Sequence, residues 1–425
     1  MRRMWRVGLL LGCGLVAVSL VMPASRPAEA QCQLGVPVVK VGAQGAASGA
    51  HADYGRQINM GATMAAEEIN AAGGILGCKI ELKFMDEELK PATAVKNTRY
   101  LVTEWGAHFL TGVDSSGSAM AIGPVLSELK RPYFFTHAAT HRLTEELVAQ
   151  KGIKEIVRVS EPVYQDGILA ALIFKDMPNV KRWANIGADY EYGYTSWNLF
   201  KEYLKKFRPD VEFVGAAWAP FGTLDFSAHI SAVMAQKPDA IFSTPWAGEA
   251  VMLLRQAQIQ GVFDQIQVWW QAMGGSVDVL EGIAQAVQGD KFKGKLWATA
   301  RYIHNWPDTP ENKAFIERFQ RRWSRFPNYS AETTYSPIMI AKAAIEKAKS
   351  LDSGKMIDAL KGMQIMTPAG VRTFRNEDHQ FVYNVPAGRV VMDPKYPIPV
   401  LGDLKVIAAK DYFRWPPFTP ISAAK

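Results

Sequence analysis

Residues 112–118, with the sequence GVDSSGS, form a short loop whose residue types could hold an anion. The glycine spacing imitates a phosphate-binding P-loop, but Ser118 and Ala119 stand where that motif needs Lys and Ser/Thr. We therefore expect no nucleoside triphosphate site. Ser115, Ser116 and the backbone N–H groups of a following helix suit a smaller anion such as a carboxylate. The alternative is ordinary capping of that helix by Ser116 or Ser118.

A second loop of small and hydroxyl-bearing residues, 136–140 with the sequence THAAT, follows the next predicted strand. In a parallel sheet both loops lie at the carboxyl ends of neighbouring strands, where ligands bind. This favours the anion site over capping. His137 and His141 lie four residues apart, but no Glu follows His137 as in a zincin helix, and we expect no metal or other cofactor.

Nucleophilic catalysis has little support, because the chain has no G-x-S-x-G motif. An exported hydrolase with Ser116 as nucleophile and His137 as base stays a remote alternative.

Aromatic residues follow the strands predicted in the second half of the chain. Tyr190, Tyr192 and Tyr194 come after one strand, Trp246 comes after another, and Trp269 and Trp270 lie in the last one. These rings could form the wall of a cleft that buries the apolar body of a ligand. Packing in a hydrophobic core is the alternative for each ring.

Short apolar runs alternate with amphipathic stretches in two successive series, which predicts two α/β lobes with parallel sheets. Two long helices follow the second series and are expected to return to the first lobe. Residues 396–425 contain five prolines and are expected to form an irregular tail on the surface. The predicted strands are 38–41, 80–85, 108–113, 133–136, 183–187, 212–217, 240–243 and 268–270; the predicted helices are 56–71, 91–104, 118–129, 194–207, 226–236, 249–260, 310–326 and 331–350.

The N-terminus has the pattern of a secretory signal peptide, predicted to be cleaved after Ala30. Three arginines within residues 2–6 precede an apolar run at 7–22, and residues 28–30 read Ala-Glu-Ala. An uncleaved anchor and a lipoprotein modified at Cys13 are the alternatives. Residues 1–30 carry a net charge of +3 of the total of +7, and the milder remainder gives no indication of nucleic-acid binding.

The predicted mature chain keeps two cysteines, Cys32 and Cys78, in an oxidising compartment. They could form a disulfide or remain as two thiols, and the sequence leaves both possibilities open.

A set of short motifs resembles the leucine/isoleucine/valine-binding class of periplasmic binding proteins, the receptors of ABC importers. The resemblance extends over roughly residues 37–385. It implies two Rossmann-like lobes joined by three crossovers, with a ligand in the cleft between them. The motifs are Val39-Lys40-Val41-Gly42, Ser48-Gly49, Tyr54-Gly55, Gly61-Ala62, Glu68-Ile69-Asn70, Gly73-Gly74-Ile75, Pro91-Ala92, Gly112, Ser115-Ser116, Ala138-Ala139-Thr140, Arg158, Tyr192-Gly193, Asp225-Phe226 and Leu254-Arg255-Gln256-Ala257.

The resemblance implies which residues bind the ligand. Its carboxylate would be held from the first lobe by Ser116, Ala138 and Thr140, with Ala139 beside them. Tyr192 and Trp246 would contribute from the second lobe, and Gln271 would open the last ligand loop.

That last loop departs from the amino-acid receptors, because residues 271–275 offer no acid to pair with an α-ammonium group. A buried ammonium without its partner loses on the order of 2–5 kcal/mol. Asp114 or Asp189 could substitute for the missing acid. Otherwise the sequence favours an aromatic or other organic acid without an amine.

We therefore predict a non-enzymatic, monomeric, periplasmic receptor that delivers a small carboxylate-bearing ligand to an inner-membrane ABC permease. The alternative within the same fold is an extracytoplasmic sensor subunit for amides or acids. The predicted organisation is a signal peptide at 1–30, a first lobe at 31–160 and 301–367, a second lobe at 161–300 and 368–395, and a tail at 396–425.

Overall fold

The computed structural model describes residues 31–160 and 162–421 of the chain. The predicted signal peptide lies outside the described residues. Among the described residues, no helix combines the length and apolar character needed to cross a bilayer.

Strands and helices alternate along the chain in three stretches. The first stretch contains β1 (Val39–Gly45), a 3-10 turn (Gly49–His51), α1 (Ala52–Ala71), β2 (Ile80–Asp86), α2 (Pro91–Thr103), β3 (Phe109–Gly112), α3 (Ser116–Leu129), β4 (Tyr133–Phe135), a π-helix (Leu143–Gln150) and β5 (Ile156–Arg158). The second contains α4 (Tyr164–Phe174), β6 (Arg182–Ala188), α5 (Glu191–Phe207), β7 (Glu212–Ala219), α6 (Ser227–Met234), β8 (Ala240–Ser243), α7 (Ala247–Ile259), α8 (Val262–Gln265), β9 (Val268–Gln271), α9 (Val277–Gln288) and β10 (Leu296–Thr299). The third contains α10 (Pro310–Trp323), α11 (Tyr329–Ala348), α12 (Ser353–Leu360), β11 (Gln364–Thr367), β12 (Gly370–Arg375), β13 (Gln380–Val382), β14 (Val385–Val391), β15 (Val400–Ile407) and α13 (Ala409–Tyr412).

Two mostly parallel sheets form the cores of two lobes. The first has the strand order β11-β12-β13-β5-β4-β3-β1-β2, and the second has the order β15-β14-β10-β9-β8-β6-β7. The chain passes between the sheets after β5, after β10 and between β13 and β14. The predicted α/β fold with two lobes and three crossovers is confirmed.

The long helix α11 returns to the first lobe and packs on α1. The two helices approach closely at Gly61, where a Cβ atom would lie 2.2 Å from the carbonyl oxygen of Ala331. Only glycine fits this contact. It brings Tyr329, the first residue of α11, to the edge of the cleft.

Two expectations about the C-terminal third are wrong. β12 and β13 belong to the first sheet, since β13 pairs with β5 in parallel at Gln380 and Arg158, so residues 370–382 do not lie in the second lobe. Residues 400–407 form an edge strand that pairs antiparallel with β14, so residues 396–425 are not irregular throughout. The first error concerns pairing between distant segments, which local patterns do not reveal. The second error concerns two consecutive strands, β14 and β15. The other predicted lobe boundaries stay predictions.

Trp269 and Trp270 are fully buried in the second lobe and do not form a cleft wall. The Phe174 ring packs 5.0 Å from Trp183 and 5.6 Å from Trp270, measured between ring centroids. Since helices cover both faces of a parallel sheet, both tryptophans of β9 face packed side chains. For these two rings the core alternative is correct.

Cys32 and Cys78 form a disulfide that ties the segment before β1 to the loop between α1 and β2. The loop depends on Gly74, which has a φ of +84° and would place a Cβ 2.2 Å from the carbonyl oxygen of Cys78. The backbone N–H of Gln33 also donates to Leu76 at 3.0 Å, so the bridge reinforces an existing contact.

We predict that replacing Cys32 and Cys78 together by Ser lowers the free energy of unfolding by roughly 2–4 kcal/mol, because the bridge closes a long loop in the unfolded chain. The variant should still fold, since both lobes have large cores of their own. Urea unfolding followed by circular dichroism measures the difference, and reduced wild-type protein serves as the control. Equal stability of variant and oxidised wild type would contradict the prediction.

Candidate functional site

A cavity lies between the two lobes, at the carboxyl ends of strands from both sheets. The first lobe lines it with Asp114, Ser116, His137, Ala139 and Tyr329, and the second lobe lines it with Tyr190, Tyr192, Trp246, Met273 and Arg301.

The side chain of Ser116 can face the cavity because its neighbour, Ser115, caps helix α3. The side chain of Ser115 accepts the backbone N–H of Ser118 at 3.0 Å, so neither Ser116 nor Ser118 is the N-cap as the alternative supposed. The turn before it requires Gly112, whose φ is +108° and whose Cβ would lie 2.0 Å from the carbonyl oxygen of Gln44. The loop therefore presents Ser116 and the N-terminus of α3 to the cavity.

Asp114 and His137 form a buried pair on the first-lobe side. His137 Nδ1 lies 2.7 Å from Asp114 Oδ1, and its Nε2 lies 2.7 Å from the hydroxyl of Thr333. Burial lowers the pKa of His137, with the Asp114 charge opposing this. Both ring nitrogens thus have partners other than Ser116, and the ring is not arranged to activate that hydroxyl as a hydrolase would require.

A further carboxyl group lies behind this pair. The backbone N–H of Asp114 donates to Glu87 Oε1 at 2.6 Å. Burial, followed by the Asp114 charge, raises the pKa of Glu87 to about 8, so Glu87 is mainly protonated at neutral pH.

Arg301 provides a buried cation on the second-lobe side, two residues after β10. Its Nη1 lies 2.7 Å from the Met273 sulfur, and its Nη2 lies 3.5 Å from Asp166 Oδ2. Burial raises the pKa of Asp166 to about 6, although the Arg301 charge opposes this. At neutral pH the carboxylate of Asp166 is therefore mostly ionised and partly balances the guanidinium.

Aromatic rings enclose the space between these two polar ends. The indole N–H of Trp246 donates to the hydroxyl of Tyr190 at 3.0 Å, and the Tyr190 and Tyr192 ring centroids are 5.9 Å apart. The Tyr329 ring packs edge-on to His137 at 5.0 Å and lies 5.8 Å from the Arg301 guanidinium. Such walls bury an apolar ligand body and exclude water.

The lobes also contact each other directly across the cleft. The hydroxyl of Thr140 donates to Glu191 Oε1 at 2.6 Å, and the hydroxyl of Tyr54 lies 3.2 Å from Asp278 Oδ1. His51 Nε2 lies 3.5 Å from Glu249 Oε1. The structure is thus a closed form of the two lobes.

The structure brings four of the seven predicted site residues to the cavity, namely Ser116, Ala139, Tyr192 and Trp246. The other three, Ala138, Thr140 and Gln271, are buried but do not line it. The Gln271 amide donates to the carbonyl of Pro245 at 2.6 Å. Of the two acids considered as ammonium partners, Asp114 lines the cavity, whereas the Asp189 carboxylate accepts the hydroxyl of Tyr194 and does not line it.

Sequence reasoning missed Arg301, Met273 and Tyr329. A signal for Arg301 was present, because a charged residue directly after a buried strand of a parallel sheet lies at the edge where ligands bind. Tyr329 had no comparable signal, since its place depends on the packing of α11 against α1.

Two α/β lobes that enclose a cavity and are joined by three crossovers define a class of binding proteins that close around a small solute. The family model described as "Periplasmic binding protein" matches residues 38–394, and the chain belongs to that family. The resemblance found in the sequence is confirmed. The family consists of non-enzymatic solute-binding proteins, and the chain is a solute-binding protein of the ABC-transporter class.

Known proteins resemble the chain over most of its length. An amino acid binding protein of Pseudomonas aeruginosa is 28% identical over 373 residues, covering 87% of this chain and 91% of that protein. A leucine-, isoleucine-, valine-, threonine- and alanine-binding protein of the same organism is 25% identical, covering 80% of this chain and 87% of that protein. A solute-binding protein of Rhodopseudomonas palustris BisB5, solved with 3,4-dihydroxybenzoic acid, has a TM-score of 0.76 and 21% identity, covering 88% of this chain and 98% of that one.

We predict that Asp166→Asn changes how stability depends on pH. A carboxyl group whose pKa is raised in the folded state stabilises the fold at low pH, and this contribution is lost as the pH rises through the folded pKa. Relative to the variant, the wild type should lose on the order of 2–3 kcal/mol between pH 4 and pH 6, as a rise from 3.8 to about 6 implies. Urea unfolding of both proteins across this range measures it, and parallel pH profiles would refute it.

Proposed function

We propose that this protein is the periplasmic receptor of an ABC importer and captures a small aromatic acid without an α-amine. The observation that carries the proposal is the Arg301 guanidinium, buried in a cavity whose walls are aromatic rings. A guanidinium matches a carboxylate in charge and in planar geometry, and the pairing is stronger where water is excluded.

The loop after β9 supports an amine-free ligand. Where an amino-acid receptor would carry an acid, this chain places Met273 against the cavity and against Arg301. A thioether offers an ammonium group no charge. The aromatic body would lie between Trp246, Tyr190, Tyr192 and Tyr329.

The second candidate is an amino acid whose ammonium group lies on Asp114. The Asp114 oxygens already accept from His137 and from the backbone N–H of Ala46 at 2.6 Å, and a carboxylate has capacity for further donors. The Pseudomonas aeruginosa relatives are named for amino acids, which favours this candidate, whereas the Rhodopseudomonas palustris neighbour holds a benzoic acid.

The remaining parts of the proposal concern export, oligomeric state and delivery of the ligand. Residues 1–30 would direct export to the periplasm, and the monomeric receptor would release its ligand to an inner-membrane permease. Of the residues predicted to bind the ligand, Ser116, Ala139, Tyr192 and Trp246 keep that proposed part because they line the cavity, whereas Ala138, Thr140 and Gln271 do not line it.

We predict that amine-free aromatic acids raise the melting temperature more than amino acids do. A ligand at a hundredfold excess over its Kd adds about 2.7 kcal/mol of stability. Protein refolded from denaturant, to remove bound solute, is screened with matched pairs: phenylpropionate and phenylalanine, 4-methylpentanoate and leucine, with benzoate and 4-hydroxybenzoate added. A strong shift with leucine or phenylalanine and none with the acids would favour the second candidate.

Substitutions at the two polar ends of the cavity distinguish further between the two candidate ligand classes. Arg301→Gln should weaken benzoate binding by about 10- to 150-fold, the range for one charged hydrogen-bonding partner, and Ser116→Ala should also weaken it. Asp114→Asn should preserve benzoate binding but abolish amino-acid binding. Arg389→Gln, an exposed change on β14, is the charge-matched control. Calorimetry with unaltered benzoate affinity in Arg301→Gln would remove the carboxylate from this end of the cavity.

A further inference from the structure

The segment that follows β15 crosses from the second lobe to the first. β15 pairs with β14 up to Ile407, within the second sheet. The next residues run along the hinge, which is formed by the three crossovers between the lobes. The backbone N–H of Ala409 donates to the Asn384 side chain at 3.0 Å, and the hydroxyl of Tyr412 donates to the carbonyl of Tyr383 at 2.8 Å. Tyr383 and Asn384 are the two residues between β13 and β14, where the chain makes its third crossover.

The segment also contacts the first crossover. The Phe413 ring lies 6.1 Å from the ring of Tyr164, and the Arg414 guanidinium lies 6.0 Å from that ring. Tyr164 begins α4, directly after the chain leaves the first lobe. Two of the three connections between the lobes are therefore covered by one stretch of chain.

Its far end is anchored on the first lobe by charges removed from water. Arg414 Nη1 lies 2.8 Å and 3.1 Å from the two carboxylate oxygens of Glu145, in the π-helix, and the two side chains are 10% and 4% exposed. Arg375 of β12 donates to the Arg414 carbonyl at 2.7 Å, and its guanidinium lies 4.9 Å from the Trp415 ring. Removing one partner from such a pair leaves an uncompensated buried charge.

The anchor is coupled to the ligand loop. The π-helix that holds Glu145 begins three residues after Thr140. Arg158 donates from Nη2 to Thr144 in that helix at 2.8 Å and from Nη1 to the carbonyl of Thr140. Thr140 in turn donates to Glu191 on the other lobe, and its neighbour Ala139 lines the cavity.

We propose that residues 409–421, the C-terminal strap, brace the hinge and limit how far the lobes open. The strap lies beyond residue 394, where the family match ends. Rotation of the lobes about the crossovers moves the end of β15 relative to the π-helix. The strap must then either detach its Arg414 anchor or hold the lobes near the closed arrangement.

Two variants test the strap without any ligand: a chain ending at Ala408, which keeps β15, and Arg414→Gln. Arg322→Gln is the matched control, because Arg322 pairs with Glu67 within the first lobe. Small-angle scattering should give a larger radius of gyration for both strap variants than for wild type or control. Hydrogen exchange in residues 136–150 should be about tenfold faster in Arg414→Gln, as local opening becomes easier.

If the strap only stabilises the first lobe and does not limit opening, a different result is expected. The melting temperature would fall in the strap variants while the radius of gyration and the exchange of residues 136–150 stayed at wild-type values, and this result would overturn the proposal. Arg414→Lys retains the charge and should restore most of the wild-type radius. If the truncated chain fails to fold, Arg414→Gln alone decides the outcome.

Discussion

The burial of the Arg301 guanidinium between the lobes is the physical constraint around which the rest of the site is arranged. Removing such a charge from water costs several kcal/mol unless partners replace the lost hydration. Asp166 and the Met273 sulfur contact it from the same lobe. The cation is therefore held in the second lobe, at the wall of the cavity.

The two lobes present faces of opposite polarity to the cavity. The second lobe contributes the Arg301 cation, and the first contributes Asp114 with its partner His137. Aromatic rings lie between these ends, and electrostatic contacts are stronger where water is excluded. A ligand with a polar group at each end would contact both lobes, so its binding energy could favour the closed form over an open one.

A second set of buried charges lies at the hinge rather than in the cavity. Glu145 pairs with Arg414, and Arg375 pairs with Asp378 at 2.6 Å. Burial raises the pKa of Glu145 to about 7, with Arg414 opposing this. These groups connect the C-terminal strap, the π-helix and the loop at 136–140. Buried ion pairs thus lie in two places in this protein, at the wall of the cavity and at the hinge.

The sequence by itself determined the two lobes and much of the first-lobe loop chemistry, because hydrophobic periodicity and small-residue loops are local signals. Ser116, Ala139, Tyr192 and Trp246 were identified in this way together with the resemblance. The tertiary structure decided the rest. Residues 370–382 joined the first sheet through pairing between distant strands, and Trp269 and Trp270 entered the core because both sheet faces are covered.

Thr140 and Arg301 show that the same dependence on tertiary structure holds at the site itself. The sequence marks Thr140 as a hydroxyl at a strand end, but its nearest partner is a carboxylate of the opposite lobe. The sequence marks Arg301 only as a charged residue after an apolar run, and its place at the cavity depends on how the strands are assembled side by side. Local sequence reports which residues prefer burial or a turn, whereas the partner of a buried polar group depends on how separate segments pack together.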